Sequence, residues 1–462
     1  MKRRLFFKRG LLASIGTAMA PSFSLLGNTL KNQGKAKNVI FMVSDGMSMG
    51  TLSMADLLHR RKNDTPSTWV SLYQQGKVAR AIMDTASANS IVTDSAAAGS
   101  SWGGGMRVNN GAINVGPMGE KPMPILQKFK NAGKSVGCVT TVPVTHATPA
   151  SFCVNVPDRN DQAGIAEEYL KLRFDLWLGG GAKYFDSQKR TDGKDMFGQF
   201  AAAGYQVVKD KDALKKLNPG SGPVLGTFAE DALPYTIDRN NQQLLGDQVP
   251  SLAEMTQKAI GLLGTNDRGF MLQVEGGKVD WAAHGNDTPA LLYDQLDFDE
   301  AVKVAMDFAE QDGETLVIIT TDHGNGEPGV FYGDKADDNF DSLLGVGCSN
   351  EWVLNQIDSN FSPKQVIELL DVHQQVRLAV PEARLILDKY QNLEKTGLYN
   401  PRKLPFELLA TYQERDFSVH WANNEHSGVF VELSVFGPGS DKLPGMMENY
   451  KLHDFILETA EI

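Results

Sequence analysis

Three short stretches of the chain set carboxylates and imidazoles beside glycine. In Glu275-Gly276-Gly277-Lys278-Val279-Asp280-Trp281-Ala282-Ala283-His284, the acid Asp280 and the imidazole of His284 are four positions apart. A helix starting after Gly277 puts both on one face, where they can grip one metal ion. Asp322 and His323 are adjacent in Thr321-Asp322-His323-Gly324, and His426 lies in Asn424-Glu425-His426-Ser427-Gly428. The chain has only eight histidines, and three of them fall in these contexts. Taken singly, each has a plainer explanation: a turn or helix cap, an exposed pair on a helix, a satisfied loop histidine. Their joint occurrence, with glycine close by to let backbone approach a site, points to metal chemistry. A nucleophile candidate lies in Thr93-Asp94-Ser95-Ala96-Ala97-Ala98-Gly99. Ser95 falls where a helix would start, and a hydroxyl there faces unpaired N–H groups that favour phosphate. Alone, Asp94 and Ser95 are as readily the cap of an alanine-rich helix.

The elements that must hold these residues are legible as apolar runs. Asn38 to Ser44 stops at Asp45-Gly46, Gly269 to Val274 stops at Glu275, and Thr315 to Thr320 stops just before Asp322-His323. Ser135 to Val142 is another such run, and Gly428 to Val435 follows His426. Runs of this kind read as strands buried on both faces. Between them, Thr288-Pro289 opens a helix with Thr288 as the expected N-cap, Leu292, Leu296, Val302, Ala305 and Phe308 give its apolar face, and Gly313 ends it. Strands alternating with helices predict an α/β fold: a central, mostly parallel sheet with helices on both faces. Chemistry in such sheets collects beyond the carboxyl ends of the strands, where three of these runs end in Asp, Glu or Asp-His. From about 331 to 415 the texture turns polar and helical, which predicts an inserted helical subdomain within a catalytic domain spanning 37–462.

The amino terminus is a separate object. Lys2, Arg3, Arg4, Lys8 and Arg9 precede a short apolar stretch from Leu11 to Ala20. That pattern predicts an export signal over 1–20 rather than a membrane span. Arg3-Arg4 before Leu5-Phe6-Phe7-Lys8 is of the twin-arginine type, so the expected location is periplasmic or secreted. Ala18-Met19-Ala20 fits the cleavage rule, but Pro21 disfavours it, so the cut is also open to a position further along, before Ala36. Removing residues 1–20, five of them basic and none acidic, takes the net charge from −11 to −16. So acidic a protein is a poor match for nucleic acid, and any phosphate site must supply positive charge locally, as bound cations do. Three cysteines give no disulfide framework, and no later apolar run is long enough for a transmembrane anchor.

Seven strings, in order, resemble the alkaline phosphatases of the bacterial and animal type. They are Val43-Ser44-Asp45-Gly46-Met47, Thr93-Asp94-Ser95-Ala96-Ala97, His146-Ala147-Thr148-Pro149-Ala150, Glu275-Gly276-Gly277, Asp280-Trp281-Ala282-Ala283-His284, Thr321-Asp322-His323-Gly324 and Glu425-His426-Ser427-Gly428. The resemblance runs from about Lys37 to the carboxyl end, apart from the insertion. It implies hydrolysis of small phosphate monoesters through a phosphoserine on Ser95, at two Zn2+ and one Mg2+, in a homodimer. Asp280, His284 and His426 would hold one zinc, Asp45, Asp322 and His323 the other. Asp45, Thr148 and Glu275 would reach the magnesium, and Arg159 falls where the family places its phosphate-clamping arginine.

Two positions depart from the best-known bacterial member, which carries aspartate at the place of His146 and lysine at that of Trp281. Other members carry His and Trp there. Both residues belong to the expected substrate-binding set, and the change takes a positive charge from near the phosphate. The competing expectations are a sulfatase or phosphodiesterase on the same scaffold and a non-catalytic binder. A sulfatase needs a Cys-x-Pro-x-Arg context at its nucleophile, which is missing. Diesterases usually lack the pair supplied here by Thr148 and Glu275.

Overall fold

The computed structural model describes residues 34–395, 397 and 399–462. The expected export signal, its twin-arginine motif and the cleavage site at Ala20 lie outside the described residues. Ten strands form one sheet: β1 (Asn38–Val43), β2 (Ala79–Met83), β3 (Ser135–Pro143), β4 (Leu176–Gly180), β5 (Gln206–Val208), β6 (Val224–Thr227), β7 (Phe270–Glu275), β8 (Thr315–Thr320), β9 (Val431–Phe436) and β10 (Met446–Met447). Their order is β10-β2-β9-β8-β1-β7-β3-β4-β6-β5. All neighbouring pairs are parallel except those made by β9, which runs antiparallel to both β8 and β2. The expected mostly parallel sheet with helices on both faces is therefore what forms.

β1 shows why the central strands lack alternation. Ile40 and Met42 join one buried cluster, whereas Val39, Phe41 and Val43 join the other. With helices on both faces, the strand is a near-continuous apolar run, Val39 to Val43, with Asn38 its one polar residue. Helices α1 (Ser95–Gly104), α2 (Ala147–Ser151), α3 (Lys278–His284) and α4 (Thr288–Asp312) are the ones that serve the site. α4 carries Pro289 in its first turn and ends at Gly313, which adopts a positive φ of 74°. Its N-cap is Asp287, whose carboxylate accepts from the Ala290 N–H. Thr288 is already helical, a correction to the expected cap: aspartate is the better acceptor and sits one residue earlier.

The strand expected over 428–435 begins only at Val431 and runs to Phe436. β2, β4, β5, β6 and β10 had no counterpart among the expected strands; they are short, and several lie near the sheet edges. Between the antiparallel pair Gly329–Val330 and Val419–His420, the described chain is helical: Ala336–Asp341, Asn350–Asn355, Pro363–Gln374, Val380–Lys389 and Phe406–Phe417. Its Val353, Leu370, Leu409 and Phe417 belong to the same buried cluster as α4 and one face of the sheet. No helix among the described residues is long and apolar enough to cross a membrane.

Candidate active site

Four adjacent parallel strands, β8, β1, β7 and β3, end at one edge of the sheet. Asp322 follows β8, Asp45 follows β1, Glu275 is the last residue of β7, and His146 and Thr148 follow β3. β9 is antiparallel, so its amino end meets that same edge, which is how His426, preceding it, arrives beside residues from strand carboxyl ends. α3, beginning after Gly277 as the spacing predicts, carries Asp280 and His284 on one face, with His284 Nε2 3.5 Å from Asp280 Oδ2.

Ser95 is the first residue of α1 and is fully buried. Asp94 caps that helix by accepting from the Ala97 N–H at 2.9 Å. The Ser95 hydroxyl lies 3.4 Å from His323 Nε2. The other Asp94 oxygen accepts from the Gly111 N–H and from Arg159 Nη1, each at 2.9 Å. Arg159 Nη2 donates to His146 Nε2 at 3.2 Å. The guanidinium is thus fixed at two corners by groups that flank the nucleophile.

The remaining residues crowd into a small volume. His323 Nε2 is 3.3 Å from Asp322 Oδ2 and 3.7 Å from Asp45 Oδ1. Thr148 Oγ1 is 3.4 Å from Asp45 Oδ2. Asp322 Oδ1 accepts from the Gly46 and His323 N–H groups. Gly46 has a φ of 69°, and a Cβ there would lie 2.6 Å from Asp280 Oδ1, so only glycine lets the loop after β1 pass this close. Asp45, Glu275, Asp280, Asp322 and His323 are each at most 1% exposed.

Such a concentration of buried acid demands positive charge. Isolated buried carboxylates cost several kcal/mol each unless paired, and here Asp45 Oδ1, Glu275 Oε1, Asp280 Oδ2 and Asp322 Oδ2 have no hydrogen-bond partner. Burial, reinforced by Asp322, pushes Asp45 well above the usual carboxylate range. Burial also raises Glu275 to about 7 and Asp322 to about 6. Asp280 goes the other way: burial works to raise it, but His284 and His426 hold it well below its ordinary value.

The histidines are equally telling. His284 Nδ1 faces the Asn424 carbonyl at 2.8 Å, and His426 Nδ1 faces the Thr93 carbonyl at 2.9 Å. A carbonyl only accepts, so each Nδ1 carries the hydrogen and each Nε2 presents its lone pair. Those two Nε2 atoms are 3.1 Å apart, and His426 Nε2 is 3.5 Å from Asp280 Oδ1. Lone pairs this close need a proton or a cation between them. Burial opposes charge on His426, yet Asp280 raises it to about 9. Three sets of donor atoms lie within 4.8 Å of one another: Asp280, His323 and His426; Asp45, Asp322 and His323; Asp45, His146 and Glu275. The donor chemistry fits divalent cations.

His146 is buried and held neutral, lowered to about 3 by burial and then by Arg159. Its Nδ1 is 4.0 Å from Glu275 Oε1, so it spans the arginine and the third donor set. Trp281 and His146 meet edge to face, with ring centroids 6.3 Å apart. Two contributors carry no signal in sequence spacing. Asn325 donates to Asp280 Oδ1 at 2.7 Å, and Tyr399 stacks on His284 with ring centroids 4.2 Å apart. Asn325 stands two residues after His323 and was legible only as part of a loop; Tyr399 comes from the helical segment after β8.

Comparison with known proteins bears on this arrangement. The family model described as alkaline phosphatase matches residues 36–462. Alkaline phosphatase 4 of Bacillus subtilis is 32% identical over 431 residues, covering 91% of this chain and 88% of the relative. Streptomycin-6-phosphate phosphatase of Streptomyces griseus is 33% identical over 387 residues, covering 70% of this chain and 81% of the relative. The crystal structure of Thermus thermophilus alkaline phosphatase superposes with a TM-score of 0.85 at 32% identity, covering 96% of each chain. With the match spanning nearly the whole chain and both sequence and fold agreeing, this chain belongs to the alkaline phosphatase family.

Proposed function

We propose that this alkaline phosphatase hydrolyses phosphate monoesters by way of a phosphoserine at Ser95. The observation that carries the reading is the placement of one buried hydroxyl, at the start of α1, against His323 in the carboxylate–imidazole cluster, with Arg159 braced alongside. Asp280, His284 and His426 would hold one Zn2+, and Asp45, Asp322 and His323 the second. Asp45, Thr148 and Glu275 would hold Mg2+, with His146 close by. Bound there, the cations would stabilise a serine alkoxide and neutralise phosphoryl oxygens.

The chain's own groups account for the rest. Ser95 Oγ bonds to phosphorus as the bond to the alcohol oxygen breaks; the serine proton passes to solvent, and solvent protonates the departing alcohol oxygen. Arg159, always charged, offers a planar fork to two phosphoryl oxygens, and the first N–H groups of α1 face the same oxygens. His146 orients the arginine, and Trp281 walls the phosphate pocket. Water then cleaves the Ser95 ester, releasing inorganic phosphate and restoring the hydroxyl.

Three further readings go with this one. Residues 1–20 serve as a twin-arginine export signal to the periplasm or exterior, supported by the basic run and the strongly acidic mature chain. Residues 331–415 are an inserted helical subdomain of the 37–462 catalytic domain. The functional unit is a homodimer, supported by the exposed apolar side chains Ile82 of β2, Met446 of β10, and Val429 and Phe430 just ahead of β9.

The test is hydrolysis of 4-nitrophenyl phosphate at alkaline pH by the metal-loaded chain, by the EDTA-treated chain with zinc and magnesium added back, and by Ser95→Ala. Activity is expected to vanish with EDTA, return with the metals and be absent in Ser95→Ala, which should also trap no phosphoserine on acid quench. A metal-loaded enzyme that ignored this ester but cleaved bis-4-nitrophenyl phosphate would sink the monoesterase reading.

A further inference from the structure

The helical segment between Val330 and Val419 delivers one aromatic side chain to the active site. Tyr399 lies almost parallel to the His284 imidazole, 17° from coplanar, and steeply inclined to the Trp281 ring, with centroids 5.4 Å apart. Its hydroxyl shares its surroundings with Asp280, Arg159, Asp45 and Asp94, whose charges all act on it. Tyr399 therefore borders the site beside His284 and Trp281.

Tyr399 and His284 also line an open cavity of about 610 Å3, together with Lys389, Lys403, Phe406 and Asn424 among others. That volume lies in the range that holds a drug-sized molecule. A phosphoryl group occupies far less, and its partners, Ser95 and Arg159, are not among the residues lining this cavity. The cavity thus adjoins the site without belonging to the machinery that grips phosphate. Its lining mixes aromatic and aliphatic surface with amide and ammonium groups and the carboxylate of Glu407, and suits a flat, polar molecule.

We propose that this cavity receives the alcohol part of the ester, and that Tyr399 is a specificity-determining residue against whose ring aryl and heterocyclic alcohols pack. The inference rests on the monoesterase reading and adds to it the class of leaving group. It also gives the helical segment a role: the sheet supplies phosphate chemistry, and the segment selects what the phosphate is attached to. Small aliphatic alcohols, with no ring to stack, gain nothing from Tyr399.

The experiment compares kcat/KM for 4-nitrophenyl phosphate and for glycerol 3-phosphate in the wild type, Tyr399→Phe and Tyr399→Leu, each metal-loaded. Inhibition by inorganic phosphate and zinc content are measured alongside. One aromatic stacking partner lost should lower the aryl-ester value by about two- to tenfold, clearly more than the value for glycerol 3-phosphate or the inhibition by phosphate. Tyr399→Phe should keep the aryl preference. Equal losses on both esters at full zinc content would overturn the proposal. So would zinc loss in Tyr399→Leu, which would make Tyr399 a support for His284. If the wild type hydrolyses neither ester, the monoesterase reading falls instead, so the two failures are distinguishable.

Discussion

Replacing Arg159 by alanine tests the phosphate grip most directly. The guanidinium has five donors in a fixed fork, of which one is taken by Asp94 at 2.9 Å and one by His146 at 3.2 Å. The rest are free for the phosphate we propose it grips, and the two braces mean that little rotamer entropy would be lost on binding. A charge-assisted hydrogen bond contributes about 1.5–3 kcal/mol, so a two-point grip is worth about 3–6 kcal/mol. Asp94, 20% exposed beside Arg159, stays behind in the variant without its cation, and its negative charge opposes the incoming ester. Water reaches both partners, since the Arg159 side chain is 14% exposed, and that screening favours the lower part of the range.

The expected outcome is a fall in kcat/KM of about 10²- to 10³-fold, with a parallel weakening of inhibition by phosphate. Arg159→Lys should recover only part of it, because a single ammonium cannot make the two-point contact. His146→Ala removes one brace and leaves the arginine, so its loss should stay near tenfold or below. Zinc and magnesium contents of Arg159→Ala should match the wild type, since no arginine nitrogen belongs to a donor set. The assay is steady-state hydrolysis of 4-nitrophenyl phosphate with metal analysis of the same samples. A loss under about fivefold, or full rescue by lysine, would refute the reasoning that a fixed fork holds the phosphoryl oxygens.

Two further perturbations act on the frame around the site. Gly46→Ala combines a left-handed backbone position, costing about 1 kcal/mol for a side chain, with a Cβ 2.6 Å from Asp280 Oδ1; it should weaken zinc retention about tenfold or more in chelator competition, and unchanged retention would contradict the close approach. Asp294, buried and accepting from the Thr236 N–H and hydroxyl, is raised by burial to about 7. An acid raised in the folded state favours folding in its protonated form. Its contribution is complete below the unfolded carboxylate range near pH 4 and is lost as pH rises through about 7. Thermal melts of the metal-loaded protein should therefore show Asp294→Asn losing less stability than wild type between pH 5 and 8, by at most about 1.4 kcal/mol per pH unit; parallel curves would refute it.

Much of the fold and the site was legible because the same physics wrote both. A strand buried on both faces is mostly apolar and stops where polar chemistry starts, so β1, β7 and β8 each announce a site residue at their ends. The i, i+4 spacing of Asp280 and His284 is a helix period, and α3 obeys it. β4, β5 and β6 were missed because two of them hold only three or four residues, too short for a period to register, and β4 ends in two glycines. The cap at Asp287 was displaced by one residue because Asp287 and Thr288 are both good caps and only geometry chooses between them. Tyr399 and Asn325 were illegible for another reason: their contacts are tertiary. Nothing in a polar helical stretch tells which residue will reach an imidazole more than a hundred positions earlier. The division has a physical meaning. Residues that create charge, bind it or bond to phosphorus need particular chemistry at strand ends, and so leave a pattern. Residues that shape what surrounds the phosphate need only bulk and position, which many sequences supply, so it is there that enzymes with one cation frame can diverge in the alcohols they accept.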